Sequence, residues 1–307
     1  MRTIELAESL GRTDSVLTGL VGLWAAMFVQ GQMADCEAAG RRALALAQPG
    51  SSFSGAAHFA LGGAMMCMGR PVESLPHLTL AVEQARHVSL IMGPRPDLHA
   101  AAFESHAHWL LGEPDTARDR CRDGLARARA VTEAPYNLAM ALAYAAVTWQ
   151  LCGDVEEMLS TVAELDELCR RYGFGYYREW ALVLRGWHLG GRDGLELARR
   201  GLANLRAQGA LARMPYWLAL VADVRARAGE SDASRSTLDA AIVSARSRRE
   251  VWWLPEVLRV RAQYDGDPDA VAARLLEAAR MATEHGSVAL PRRCAADLER
   301  LGVRLPA

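Results

Sequence analysis

Two arginines, Arg178 and Arg185, have the residue type and the spacing that anion binding requires. They stand seven positions apart in a stretch with helical periodicity, so they lie on the same face of one helix. A guanidinium can form two parallel hydrogen bonds with a carboxylate or a phosphate, so the pair could clamp an anionic group. The alternative is that Arg178 pairs with Glu179 or with another acidic neighbour.

A second pair, Glu104 and His108, stands four positions apart and would face each other on a helix, whereas His106 points elsewhere. These residue types occur in metal sites and proton relays. A metal usually takes three or four protein ligands, and no second cluster with ligand spacing is found nearby. We therefore interpret Glu104 and His108 as a mutually hydrogen-bonded, partly buried pair and expect no metal and no organic cofactor.

The segment 265–269, Asp-Gly-Asp-Pro-Asp, begins like a calcium-binding loop. Such a loop needs Gly at its sixth position and Glu at its twelfth, where this chain has Ala270 and Leu276. We interpret the segment as a helix N-terminus that is capped by Asp.

Composition excludes several kinds of chemistry. All 35 basic residues are Arg, so the chain has no Lys for a phosphate-binding loop or for a Schiff base. No G-x-S-x-G motif and no local Ser/His/Asp or Cys/His motif is present, and we expect a protein that is not an enzyme. The formal net charge of -1 argues against a general nucleic-acid binder. We interpret the basic runs at 246–250 and 292–293 as solvated helix ends.

Cysteine usage and hydropathy indicate the compartment. The six cysteines form no C-x-x-C pair and no secretory leader precedes them, so we expect reduced, mostly buried thiols in a cytoplasmic protein. The most apolar stretch, 16–29, is too short to cross a bilayer, and no membrane association is predicted.

The chain consists of tandem repeats, each closed by a glycine. Gly followed by a polar residue or Pro separates two apolar, Ala- and Leu-rich helical stretches, at intervals of 37 to 43 residues. Such a Gly allows the first helix to end in a left-handed conformation. The corner glycines are Gly31, Gly69, Gly112, Gly153, Gly191, Gly229 and Gly266.

Small residues at a fixed distance from these glycines support the same register. Twelve positions after each corner, on the second helix, six of the seven residues are Ala or Gly. A small residue there lets neighbouring helices approach closely, as stacked hairpins require. The seven residues are Ala43, Ala81, Gly124, Leu165, Ala203, Ala241 and Ala278.

This pattern resembles the tetratricopeptide repeat (TPR), with somewhat longer intervals. The resemblance implies an all-α, TPR-like α-solenoid, a right-handed superhelix whose first helices line a concave groove. It also implies that residues three, six, ten and thirteen positions before each corner Gly point into that groove. Applied here, it selects His99, His106, Trp109, Met140, Gln150, Arg178, Arg185, His188, Tyr216, Asp223, Trp253 and Glu256. The alternative for the Trp residues is packing between hairpins.

Six stretches resemble the C-terminal repeat region of bacterial multidomain regulators, in which an adenylate-cyclase-like or DNA-binding domain is joined to a signal-transduction ATPase. In that family the repeats are thought to sense a ligand or partner and to hold the ATPase inactive. Glu104, His108 and residues 177–179 depart from the family pattern. The stretches are 6–11, 22–24, 107–115, 184–187, 213–220, and 252–253 with Glu256 and Arg259.

We expect one solenoid over residues 1–307, either an excised region of a longer regulator or a stand-alone homologue. Its function would be regulatory: binding of a protein segment, another domain of the same regulator, or a small effector in the groove changes the superhelical curvature. A passive scaffold and an enzyme built in the groove are the alternatives. The expected hairpins are 12–48, 52–90, 96–131, 134–172, 175–208, 212–247 and 250–285, with terminal helices at 1–10 and 288–302.

Overall fold

The computed structural model of the chain describes residues 2–85 and 94–303. In this part of the chain there are sixteen α-helices and no β-strand. The helices are α1 Arg2–Ser9, α2 Thr13–Val29, α3 Met33–Leu46, α4 Ser52–Cys67, α5 Pro71–Gln84, α6 Pro96–Leu110, α7 Pro114–Arg129, α8 Pro135–Cys152, α9 Val155–Tyr172, α10 Gly175–Leu189, α11 Gly191–Ala207, α12 Met214–Arg227, α13 Ser231–Arg248, α14 Leu254–Ala262, α15 Pro268–Glu284 and α16 Ala289–Arg300.

The even-numbered helices α2 to α14 form an inner layer, and the odd-numbered helices α3 to α15 form an outer layer. Each helix packs on the next one in the chain, and each inner helix also packs on the following inner helix. Sequence explains the division. Helix α8 has no charged residue and is buried on nearly every face, whereas α9 carries many charges and buries one stripe at helical spacing. The fold is an all-α, TPR-like solenoid, as predicted.

Each predicted hairpin range contains one inner and one outer helix, apart from Arg248, which lies one residue past the sixth range. Residues 86–90 of the second range lie outside the described residues. Helices α1 and α16 pack on the two ends of the array.

The corner glycines adopt the predicted conformation at most positions. Gly112 and Gly153, for example, both have φ +81°, in the left-handed region that favours glycine. At the fifth corner two glycines are left-handed, Gly190 and Gly191, and α11 begins at the second of them. The prediction is wrong at Gly266, which does not have a positive φ. There the side chain of Asp267 caps α15, as the Asp-rich segment predicted.

The predicted contact positions on the outer helices are buried at six of the seven corners. The exception is Ala203, which is exposed and lies in α11, the helix that follows the double glycine. Gly201 takes the contact position instead: a Cβ on it would lie 2.8 Å from the carbonyl oxygen of Glu179. Close helix approach is therefore preserved with a different residue.

Hairpins also touch hairpins that are distant in the chain, unlike an ordinary solenoid, in which each repeat contacts only its neighbours. The last residues of three inner helices accept hydrogen bonds from loops that follow α11, α13 and α15. Val29 O accepts from Leu211 N at 2.7 Å and from Ala212 N at 3.1 Å. Cys67 O accepts from Trp252 N at 3.2 Å, and Leu110 O accepts from Val288 N at 2.8 Å.

We call these contacts the seam. The carbonyls at a helix C-terminus have no partner within the helix, and here loops from far along the chain supply their donors. The corner of the first hairpin thus meets the loop between the fifth and sixth hairpins, and the corner of the second meets the loop between the sixth and seventh. The superhelix is wound tightly enough that successive turns contact each other. The predicted concave groove therefore becomes the enclosed interior of the protein.

Candidate functional site

Most of the predicted groove residues are buried inside this closed superhelix. None of these side chains can meet a partner without opening of the seam or of the inner layer. The buried residues are His99, His106, Trp109, Met140, Tyr216, Trp253 and Glu256.

Their partners are other interior residues. The hydroxyl of Tyr216 donates to Oε1 of Gln150 at 2.8 Å, and the rings of Tyr216 and Trp253 pack edge to face. Trp109 also lies against Trp253, with ring centroids 5.8 Å apart. The packing alternative for the Trp residues therefore describes their place in this structure.

Glu256 belongs to a charged cluster between α14 and α16. Arg259 donates to both of its carboxylate oxygens, each at 2.8 Å, and Arg293 approaches at 3.1 Å. This carboxylate is thus already neutralised by two arginines.

Five predicted residues remain at least partly accessible: Gln150, Arg178, Arg185, His188 and Asp223. Asp223 accepts from the indole N–H of Trp187 at 2.8 Å and pairs with a neighbouring arginine. Arg185 and His188 make no hydrogen bond or ion pair with the rest of the described chain.

Arg178 and Arg185 are exposed on α10, but they do not share a partner. Nε of Arg178 lies 3.5 Å from a carboxylate oxygen of Asp166, as the alternative for this residue anticipated. Arg185 lines an open cavity of about 260 Å³ between α9 and α10, together with Asp166 and Arg170. The cavity is rimmed by two arginines and one carboxylate, so it retains an excess positive charge.

The predicted pairing of Glu104 with His108 is wrong. Glu104 is buried and accepts from the hydroxyl of Thr79 on α5 at 2.8 Å. His108 lies at the end of α6, where its Nδ1 is 2.6 Å from the carboxylate of Glu113. A tertiary contact thus supplies the partner of Glu104, and the local corner after α6 supplies the partner of His108. No group of three potential metal ligands occurs within residues 2–85 and 94–303.

The centre of the interior is occupied by Arg213, which lies in the loop before α12 and is completely buried. Its guanidinium carbon lies over four aromatic rings, 4.5 Å from the ring centroid of Tyr144 and 5.2 Å from that of Trp252. Phe103 and Trp180 complete the cage. Desolvated cation–π contacts of this kind contribute about 2 kcal/mol or more.

One side-chain hydrogen bond holds this guanidinium. Nη2 of Arg213 lies 3.0 Å from Nδ1 of His106, while Nε2 of the same ring lies 3.1 Å from the carbonyl oxygen of Tyr144. A carbonyl can only accept, so Nε2 carries the proton and Nδ1 accepts from Arg213. Burial and the nearby guanidinium hold the pKa of His106 well below its usual range, and the ring is neutral.

Glu250 is the buried carboxyl group of this region. Its Oε1 accepts from the backbone N–H of Arg213 at 2.6 Å. Burial raises the pKa of Glu250 to about 8, although Arg213 acts in the opposite direction. No acidic oxygen lies within 4.0 Å of the Arg213 guanidinium in the described part of the chain, so the positive charge is not neutralised by an ion pair.

The interpretation of 246–250 as a solvated helix end is wrong for its last residues. Arg248 donates to the carbonyl oxygen of Gln30 at 2.8 Å, which adds a side-chain contact to the seam. Arg249 ends α13 with φ +56°, and this turn directs Glu250 into the interior.

A separate aromatic pocket shares Tyr144 with the Arg213 cage. Its volume is about 70 Å³, and its walls come from α2, α4, α6, α8 and α10. The hydroxyl of Tyr144 is 2.8 Å from Nε2 of His99, which also lines the pocket. Burial and Arg213 lower the pKa of His99 to about 3, so this imidazole is also neutral. The remaining lining residues include Trp24, Phe28, Val29, Phe59, Tyr136, Tyr176 and Tyr177.

Sequence reasoning selects two of the central residues, His99 and His106, and misses Arg213 and Glu250. Arg213 and Glu250 lie in loops between hairpins, and a rule that counts positions along the inner helices cannot reach them. The stretch 213–220 resembles a packing signature, which is the available signal for Arg213. Nothing in the spacing of Trp24 or Tyr176 indicates that they share a pocket.

Part of the chain is similar in sequence to part of a longer bacterial protein. No protein-family model matches the chain. A stretch of 158 residues, 49% of this chain, is 28% identical to an uncharacterized protein of Rhizobium meliloti (strain 1021). The chain spans only 15% of the length of that relative.

Solved helical structures also align with the chain, two of them at low TM-scores. Aspartyl phosphate phosphatase F from Bacillus subtilis aligns with a TM-score of 0.48 and 10% identity, over 95% of this chain and 96% of that one. A circular tandem repeat protein aligns with a TM-score of 0.15 and 17% identity, over 98% and 74% of the two chains. The assignment of the solenoid rests on the helix pairing of this chain itself.

Proposed function

We propose that the chain is a non-enzymatic regulatory solenoid, a sensor region of bacterial signal transduction or transcriptional regulation. It binds a protein or peptide segment or a small effector, and binding changes how tightly the superhelix is closed. The observation that carries this proposal is the seam, in which three inner helices are capped by loops from the following turn.

The seam has the properties of an element with two arrangements. Around it, Nε and Nη1 of Arg213 and Oε2 of Glu250 are buried without hydrogen-bond partners. Each unsatisfied buried polar group costs about 1–3 kcal/mol, so these atoms weaken the closed arrangement. Opening would expose them to water and restore their hydrogen bonds. A ligand that prefers one arrangement shifts the balance in proportion to its difference in affinity.

The resemblance to multidomain regulators supports a sensory role. The relative in Rhizobium meliloti contains its similar stretch within a chain several times longer, as a region of a multidomain protein would. TPR-like solenoids also present extended surfaces that are used for protein binding. Under this proposal the protein acts in the cytoplasm and contacts neither nucleic acid nor a membrane.

The exposed face of α10 is the surface that we propose for an anionic protein partner. Arg185 has no acidic partner to displace, and Arg178 has one at 3.5 Å. Replacement of both arginines by Ala is expected to weaken the binding of an anionic partner without a change in helix content.

No helix within the described ranges is both long and apolar enough to cross a membrane.

Hydrogen exchange tests the sensor proposal and does not require the ligand to be identified. The amides of Leu211, Trp252 and Val288 donate across the seam, whereas Gly153 N donates within its own corner. We expect the three seam amides to exchange together, at a free energy below that of global unfolding. Exchange of all three only through global unfolding would contradict a seam that opens.

Native followed by denaturing mass spectrometry of the purified protein identifies what the interior or the exposed face binds. A mass excess that disappears on denaturation is the expected result for a sensor that retains its effector. If the excess is removed and the exchange of the seam amides stays the same, the chain is a passive scaffold or carrier instead.

A further inference from the structure

The open cavity between α9 and α10 combines aliphatic walls with an unpaired cation. Ala163 in its wall is exposed and Leu182 is half-buried, so part of this apolar surface meets solvent. Arg185 at the rim is also exposed, and its side chain forms no hydrogen bond or ion pair in the described part of the chain. An aliphatic group with a carboxylate next to it would match both features. The apolar wall residues are Leu159, Val162, Ala163, Ala181 and Leu182.

The acidic groups beside the cavity are already neutralised. Asp166 accepts from Nε of Arg170 at 3.3 Å and lies 3.5 Å from Nε of Arg178. Glu167, the next carboxylate of α9, lies 2.7 Å from Arg170. The charge that is left for a partner is therefore that of the Arg185 guanidinium, which binds carboxylates through charge-assisted hydrogen bonds.

The neighbouring helix α11 adds to this positive charge. It packs directly behind the cavity wall, because Cβ of Leu182 lies 3.1 Å from the position that a Cβ on Gly201 would take. On α7 the residues Arg118, Arg122 and Arg129 pair with carboxylates, whereas no arginine of α11 forms an ion pair within residues 2–85 and 94–303. Such a surface attracts an acidic partner and steers its approach. The exposed arginines of α11 are Arg192, Arg199, Arg200 and Arg206.

The size and the openness of the cavity indicate what can enter it. Its volume of about 260 Å³ exceeds the roughly 150 Å³ of a cavity that holds a benzene molecule. It therefore has room for one large aliphatic side chain. Because the cavity is open to solvent, this side chain can enter while its backbone stays at the surface, and the closed superhelix does not have to rearrange.

We propose that this cavity is a docking site for an acidic protein segment, which places one Leu, Ile or Met side chain between α9 and α10 and a neighbouring carboxylate on Arg185. The proposal rests on the function proposed above and specifies how the exposed face of α10 recognises its anionic partner. The arginines of α11 attract further acidic residues of the same segment. Recognition thus takes place at the exposed surface and not in the enclosed interior.

Three heptapeptides with blocked ends test the chemistry of the partner. The first is Glu-Asp-Glu-Leu-Glu-Asp-Glu, the second has Gly in place of Leu, and the third has Arg in place of every acidic residue. Binding to the full chain is followed by the methyl NMR signals of Leu159, Val162 and Leu182, which report on the cavity itself. We expect saturable binding of the first peptide, with affinity at least fivefold lower for the Gly peptide and tenfold lower for the basic peptide. No saturable shift with the first peptide, or equal affinity for either of the others, would overturn the proposal.

Two further probes separate a protein segment from other anions. Hexanoate is a free aliphatic carboxylate, and an oligothymidylate with six phosphates has about the charge of the acidic peptide. We expect both to bind at least tenfold more weakly than the acidic Leu peptide. Hexanoate binding of equal strength would make the cavity a small-molecule site, and equal binding of the oligonucleotide would make the arginines a nucleic-acid surface. Either result excludes the protein segment as the preferred occupant.

Two variants test the site. Arg185→Ala removes the unpaired cation, and Ala163→Phe fills the cavity from its exposed side; each is expected to weaken the acidic Leu peptide at least fivefold. The matched control is Arg12→Ala, because Arg12 is also exposed and its side chain has no ion pair among the described residues, but it lies before α2. All three variants change exposed positions, so their thermal midpoints should stay close to that of the wild type. Unchanged affinity of both cavity variants, or an equal loss in the Arg12 variant, would place the peptide elsewhere.

Hydrogen exchange of the seam amides separates this docking site from the sensor function. If the acidic Leu peptide fails to bind and the seam amides still exchange below the free energy of global unfolding, the docking site is wrong and the sensor proposal stands. If the peptide binds at the cavity and the seam amides exchange only through global unfolding, the docking site stands and the opening of the seam is wrong.

Discussion

Nη2 of Arg213 lies 3.0 Å from Nδ1 of His106, although 107 positions separate the two residues in the chain. The bond joins a loop of the second half of the solenoid to the inner helix α6 of the first half. Arg213 is enclosed by aromatic rings from both halves, so it holds successive turns of the superhelix together.

Arg213→Ala is expected to destabilise the protein by about 2–4 kcal/mol, because it empties the aromatic cage and removes the partner of His106. The control is Arg248→Ala, which removes one exposed hydrogen bond to Gln30 and should cost less than about 1 kcal/mol. Chemical denaturation gives both values. If both variants lose a similar, small amount of unfolding free energy, Arg213 does not hold the turns of the superhelix together.

Glu250→Gln should change how stability depends on pH. Burial raises the folded-state pKa of Glu250 to about 8, above its value of about 4.5 in the unfolded chain. Its stabilising contribution is therefore complete below about pH 4.5 and is lost as the pH rises towards 8, by up to about 1.4 kcal/mol per pH unit.

The neutral, buried His99 and His106 act in the opposite direction, since their depressed pKa values make the protein less stable as the pH falls below about 6.5. Both remain in the Gln variant. The difference in unfolding free energy between wild type and Glu250→Gln, measured from pH 4.5 to 8, isolates Glu250 and should decline. A flat difference would contradict the raised pKa.

Ala241→Phe is expected to be strongly destabilising, because Ala241 is completely buried at the contact of α13 with its neighbours. Overpacking of such a contact costs about 1–3 kcal/mol and sometimes more. Ala203 has the same predicted register but is exposed, so Ala203→Phe should leave the thermal midpoint nearly unchanged. Equal losses in thermal unfolding would contradict the exposed position of Ala203 in α11.

Comparison of Gly112→Ala with Gly153→Ala separates the cost of backbone strain from the cost of a steric clash in the seam. Both glycines have φ +81°, so each substitution carries a similar penalty of about 1–2 kcal/mol for an L residue. A Cβ at Gly112 would lie 2.8 Å from Cγ1 of Val288 in the seam, whereas a Cβ at Gly153 meets nothing within 4 Å. The Gly112 variant should therefore lose more stability, and its Val288 amide should exchange faster. Equal behaviour of the two variants would show that the seam tolerates the methyl group.

Local patterns in the sequence predict the helices, their pairing and the class of fold. Corner glycines, capping residues and the contrast between apolar inner helices and charged outer helices act over a few turns of chain, where periodicity and spacing carry the information. Helix α11 shows the limit of this reasoning, because the close contact lies at Gly201, two residues before the predicted Ala203.

The closure of the superhelix and the residues in its interior follow from long-range packing, which local patterns do not predict. The pitch of a solenoid is the sum of small rotations between successive hairpins, and no local pattern records that sum. Closure brings Arg213 to His106 and Trp24 to Tyr176, residues that are far apart in the chain. It also converts most of the predicted groove into core.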